Sequence, residues 1–239
     1  MRFFVLMVFV SACSPEKTVN DTGEVVETGE LDPGDSGAVD SSTPETGSPE
    51  TGSPDTGQDT DPPGPPTQVC YPGKAQDYKT CFDLVDYSSS WGDGYNYPAP
   101  HQGNCQYIAP VRFIDLSLID PETYLSPNFK VREIMQVQFG RYGIFQVHAM
   151  EDLQRMRDAA GGPITVTSAY RNVTYNAASC GVLHSRHQYG DAADLQSSAV
   201  SIDRLEQICL ENDGHLVEYN NHVHCDWRND TLDPAFFDE

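Results

Sequence analysis

Positive charge is scarce in this sequence. Fourteen Lys and Arg stand against 36 Asp and Glu, for a net charge of −22 over 239 residues. That balance repels a polyanion and sets nucleic acid aside as a partner. Long apolar runs are missing too: the stretch Phe3–Val10 is too short to cross a bilayer as a helix. No two cysteines have the Cys-x-x-Cys spacing, which leaves little basis for a zinc ribbon. No βαβ rhythm runs through the chain, so a doubly wound parallel sheet is not expected.

What is present divides the chain into four stretches. Residues 1–13, MRFFVLMVFVSAC, put Arg2 ahead of the apolar run and read as a signal peptide. The closing Val-Ser-Ala-Cys resembles the bacterial lipobox, where the signal is cut before the cysteine and the thiol is acylated. The resemblance implies a lipid anchor at Cys13, and a place in a bacterial cell envelope facing the periplasm or the exterior. Residues 14–68 carry thirteen acidic residues and one lysine around the repeat TGSPETGSPDTG. So few apolar side chains cannot offset the entropy of ordering, so this stretch is expected to be a disordered, solvated tether. Residues 69–127, rich in Tyr, Gly, Pro and Asp, read as a loop-rich subdomain pinned by disulfides, with VRFIDLSL its only strand-like run. Besides Cys13, six cysteines remain (Cys70, Cys81, Cys105, Cys180, Cys209 and Cys225). An even number in an exported chain suggests disulfides, whose pairing the spacing leaves open.

The pattern sharpens over residues 128–239. VHAMEDLQRMRDAA has apolar positions at helical spacing, and Gly161-Gly162-Pro163 stops it. ITVTSAY alternates and is β-branched, hence a strand. RNVTYNAASC predicts a short helix, GDAADLQ a strand, and SIDRLEQICLEN an amphipathic helix. HLVEY and HVHCDW predict the arms of a hairpin around Asn220-Asn221. The expected fold class is α+β, a mainly antiparallel sheet with flanking helices.

Two clusters carry chemistry. One is His187 with Asp194 in HSRHQYGDAADL, and the other is Glu218, His222 and His224 in EYNNHVH. Imidazole and carboxylate are the donors zinc favours, and three of them leave one position open. In an extended strand His222 and His224 share one face while Val223 and Cys225 share the other. Cys225 is therefore not expected at the metal. A three-residue loop over 219–221 would set Glu218 opposite His222 on the metal face, whereas a two-residue loop would turn it away. Asp226 reads either as an orienter of an imidazole or as a polar strand end. Asp191 reads as solvated, and His148, His184 and His215 are given no role. The Asn-x-Thr triplet at Asn172 does not read as a glycan site beside a lipobox.

HSRHQYGDAADL is similar to the Ser-x-His-x-x-Gly-x-Ala-x-Asp signature of zinc D-alanyl-D-alanine peptidases, at Ser185, His187, Gly190, Ala192 and Asp194. The upstream NFKVREI and ITVTSAYRNVTYNAA resemble the segments before that signature in bacterial peptidoglycan peptidases. The tail Glu-x-x-x-His-x-His-Cys resembles the hedgehog signalling domain, which shares the fold. The resemblance covers roughly residues 128–228. It implies a hedgehog/DD-peptidase-like zinc fold with His187, Asp194 and His224 as Zn2+ ligands. It also implies Arg171 and Ser185 on the substrate side and Glu218 as the base, with Asp226 its sequence-adjacent competitor; His222 is placed to donate a hydrogen bond to the developing oxyanion. Many members carry a carboxylate three residues before the last histidine ligand, where this chain has Asn221. The implied activity is that of a zinc peptidase on peptidoglycan stem peptides, as a D-alanyl-D-alanine carboxypeptidase. The rival is a non-catalytic, zinc-stabilised binding module. The sequence says nothing of oligomeric state.

Overall fold

Ile164 and Val166 point inward and Thr165 and Thr167 outward along strand β5 (Ile164–Ser168), as its alternation predicts. β5 pairs antiparallel with β6 (Ala192–Ser197), which pairs antiparallel with β8 (Val223–Asp226), and β8 with β7 (His215–Glu218). The computed structural model describes residues 64–75, 78–100, 105–228 and 230–238. The expected signal peptide and Cys13 lie outside them, as does most of the acidic tether.

The two long helices are where periodicity put them. α2 (Val147–Ala159) buries Ala149, Met150, Leu153 and Met156 on one face. It stops before Gly161, whose φ of +62° is the left-handed conformation that glycine accepts without a Cβ penalty. α4 (Ile202–Glu211) starts at Ser201, whose hydroxyl accepts from Arg204 N at 3.2 Å, and buries Leu205, Ile208 and Cys209. The disulfide Cys209–Cys225 ties α4 to β8. Of the shorter elements, α1 (Val131–Ile134) precedes α2, and α3 (Val173–Ala178) follows β5 with Asn172 as its cap.

Residues 69–127 hold more strand than expected. β1 (Gln68–Ala75) and β2 (Tyr78–Asp86) pair antiparallel, with Cys70 opposite Cys81 and disulfide-bonded to it. β2 pairs with β3 (Arg112–Asp115), and β3 with β4 (Tyr142–Gly143). Because β4 comes from beyond residue 128, this sheet spans the boundary expected at 127/128. The chain's end also packs on it: Phe236 O accepts from Val111 N and Arg112 N, and Arg112 Nε donates to Ala235 O at 2.9 Å. The two stretches thus share one core, in which Phe113, Ile114, Phe145, Leu195, Val223 and Phe236 are fully buried. Cys180 is also disulfide-bonded.

Candidate metal centre

His187 reaches its place through a 3-10 turn (Arg186–Tyr189) that ends at Gly190. Gly190 has φ +71°, and a Cβ there would lie 2.9 Å from Ile144 O, so the turn requires glycine. From it the chain enters β6, where Asp194 stands directly opposite His224 of β8. Cross-strand partners face the same way, which brings three side chains far apart in sequence onto one face.

The three donor atoms form a tight triangle. His187 Nε2 lies 3.1 Å from His224 Nδ1 and 3.2 Å from Asp194 Oδ1, and His224 Nδ1 lies 3.0 Å from the same oxygen. The far side of each ring is occupied. His187 Nδ1–H donates to Ala169 O at 2.7 Å, and His224 Nε2–H donates to Asp226 Oδ2 at 3.2 Å. Each imidazole therefore turns its other nitrogen toward the carboxylate, where a proton on His224 Nδ1 or a metal ion in its place holds the three groups together. Donors about 2.0–2.1 Å from one tetrahedral zinc lie about 3.3–3.4 Å apart, close to the spacing seen. The residues fit Zn2+.

Electrostatics agree. Burial pushes the Asp194 carboxyl up, but the two imidazoles and Arg171 overcome this and hold it far below the usual carboxylate range. Burial pulls His187 down, favouring the neutral ring a metal needs. Burial pulls His224 down as well, yet its bonds to Asp194 and Asp226 push it up to about 9 in the metal-free site.

Asp226 is the orienter, fully buried beneath His224 and held by Arg228 at 2.7 and 2.6 Å. Arg171 comes to the site as a partner of a ligand: Nη2 pairs with Asp194 Oδ2, and Nε donates to Ser168 Oγ at 2.7 Å. Ser185 is buried just ahead of the turn that carries His187. His222 faces the triangle, with Nε2 3.8 Å from Asp194 Oδ1. Its Nδ1–H donates to Asn221 Oδ1 at 2.8 Å, and its ring stacks on Tyr219 at 4.3 Å. The remaining lone pair, on Nε2, looks into the site.

Glu218 is not brought there. The hairpin loop spans four residues, 219–222, and pairs Glu218 with Val223 and Val217 with His224. Glu218 therefore shares the face of Val223 and Cys225, toward α4, where its charge adds to burial in raising the Glu206 carboxyl. A loop one residue longer than the favourable one inverted the parity. Asp191 also departs from expectation. It is buried, not solvated, and pairs with Arg186 Nε at 2.9 Å, while Arg186 Nη1 donates to Gln106 O at 2.5 Å. The Arg186 guanidinium lies over the rings of Tyr107 and Tyr189, 5.1 Å from each. This pair braces the segment between His187 and Asp194. Its sequence signal was an arginine just before the first ligand and an aspartate three residues before the second.

The sequence profile of the Peptidase M15 family matches residues 127–226. The zinc D-Ala-D-Ala carboxypeptidase of Streptomyces albus G is 46% identical over 59 residues, 24% of this chain and 23% of that protein. The match thus spans about a quarter of that relative's length. The whole metal triangle lies inside the profile match, whereas β1, β2 and β3 lie before it. Over residues 127–226, which hold all three donors of the triangle, this chain is similar to the M15 peptidases.

Proposed function

We propose that this protein is a zinc peptidase acting on peptidoglycan stem peptides, as a D-alanyl-D-alanine carboxypeptidase. The supporting observation is the triangle of His187, Asp194 and His224, each donor turned inward with its far side already held. Bound zinc supplies Lewis acidity, which activates water and polarises a carbonyl. In this reading His222 replaces Glu218 as the base: its Nε2 takes a proton from the attacking water and returns it to the leaving amine. Asp226 and Arg228 fix the His224 ring, and Arg171 fixes Asp194. The Nη1 edge of Arg171 receives the substrate's terminal carboxylate, for which a planar guanidinium is suited. Ser185 lines the substrate side. The position of Glu218 on the α4 face favours the second reading, a zinc-stabilised binding module without turnover. Incubation of the zinc-loaded protein with stem pentapeptide, followed by mass analysis, separates the two. Loss of one terminal alanine supports the peptidase, and intact peptide with zinc bound supports the module. In the same proposal Cys13 is the lipid anchor and the acidic stretch is the tether that lets the domain reach the wall from the membrane.

A further inference from the structure

Segments that precede the profile match join residues inside it to line a groove. The 3-10 turns Ser89–Trp91 and Asp93–Tyr95 face the loop over 137–142 and helix α3 across a groove of about 730 Å³. That volume falls within the ~300–1,000 Å³ range of small-molecule clefts. Paired rings form its walls, each keeping only its outer face: Trp91 stacks on Tyr142 with centroids 3.5 Å apart, Phe139 on Tyr175 at 3.9 Å with 5° between planes, and the Arg141 guanidinium lies 5.1 Å from the Tyr142 ring. Phe139 is 40% exposed. Between the rings stand exposed hydrogen-bonding side chains, Ser90, Gln138 and Thr174.

The floor is fixed in advance. Asn172 caps α3 by accepting from Tyr175 N at 2.8 Å and donates to Phe139 O at 2.7 Å. Tyr95 Oη accepts from Tyr142 N at 2.8 Å. Gly140 lies so close to both that a Cβ there would sit 2.4 Å from Asn172 Nδ2 and 2.8 Å from Tyr95 Oη. The chain links the groove to the metal site: Asn172, which lines the groove, directly follows Arg171, the partner of Asp194.

Flat aromatic faces alternating with hydroxyls and amides suit a ligand whose rings are apolar on their faces and polar at their edges. We propose that this groove is a saccharide subsite, holding the amino-sugar chain that carries the peptide presented to the metal. The inference rests on the peptidase reading for its substrate but not for its test. A peptide would instead call for deep apolar side-chain pockets or an open strand edge. The groove offers neither: β4 is the outer strand of its sheet, but Tyr95 Oη bonds both Tyr142 N at 2.8 Å and Tyr142 O at 3.2 Å, so that edge is filled at Tyr142.

The test is calorimetric titration of the zinc-loaded full chain with N-acetylglucosamine oligomers, which needs no turnover. Saturable binding is expected, weakened at least ~5-fold by Phe139→Ala, as fits the loss of one aromatic contact. Gln138→Ala, at an exposed position, provides a second and structurally mild variant. In the activity arm both variants should raise KM for a glycan-linked stem peptide and leave KM for the free peptide unchanged. Oligosaccharide binding without any turnover would keep the subsite and overturn only the peptidase reading. Absence of oligosaccharide binding, binding unaltered in both variants, or a groove that takes free peptides alone would overturn the subsite.

Discussion

Exchanging the two candidate bases gives the sharpest test of the site. Among the described residues, His222→Gln removes the only imidazole that faces the triangle without belonging to it, and Glu218→Gln removes the carboxylate that the family resemblance implies. His222 Nε2 stands 3.8 Å from Asp194 Oδ1, outside the 3.0–3.2 Å triangle of donors, so its loss should leave zinc content unchanged. A positioned general base is worth about 10²–10⁴ in rate, or roughly 2.7–5.4 kcal/mol of barrier. His222→Gln should therefore lower kcat on a stem peptide at least ~100-fold with little change in KM. Glu218 is exposed and on the opposite face, so Glu218→Gln should stay within about twofold of wild type, as surface substitutions do. The assay is steady-state release of D-alanine, with metal content measured on each preparation. The reverse order would refute the reasoning: it would mean that the loop over 219–222 refolds to carry Glu218 onto the metal face.

His187→Ala should abolish stoichiometric zinc retention after dialysis, and equal metal content in wild type and variant would rule the ligand set out. Asp226→Asn should weaken zinc about 10–100-fold in chelator competition, the usual weight of a ligand's orienting partner; unchanged affinity would deny it that role. With His224 raised to about 9, the metal-free site carries a proton below that pH and loses it as pH rises through 9. Zinc uptake at pH 7 should then release about one proton, read as a dependence of the calorimetric heat on buffer ionisation, and the release should fade above pH 9. A buffer-independent heat at pH 7 would contradict this. Cys13→Ser should move the protein from the membrane fraction to the soluble one, and continued pelleting would remove the anchor.

The ligands were legible because their signal is local: His187 and Asp194 lie within one short motif, and His224 within the next. Helices α2 and α4 were legible for a similar reason, since their apolar stripes need no partner to be recognised. The face of Glu218 was not, because it depends on one residue of loop length, and a hairpin read from Asn220-Asn221 fixes its place better than its count. The strand β1 was hidden by Pro72 and Gly73. Pro is tolerated there because β1 is the edge of its sheet, and Gly73, at φ +75°, lies where the register shifts between Tyr71 and Ala75. Asp191 looked solvated because polarity alone does not reveal that Arg186 turns inward to meet it.

Strand β8 alternates a metal ligand with a sulfur, and this fixes an order of assembly. Before oxidation the chain holds thiols at Cys209 and Cys225, softer zinc donors than any imidazole or carboxylate of the site. Zinc offered to the reduced, unfolded chain can be captured there, in the wrong coordination and next to the right ligand. Once Cys209 and Cys225 are joined, that competing sink is gone and β8 is tied to α4 in the register that sets His224 opposite Asp194. Oxidation before metallation is thus the productive sequence. In the envelope location proposed above, the chain is oxidised where it folds and meets the two events in that order.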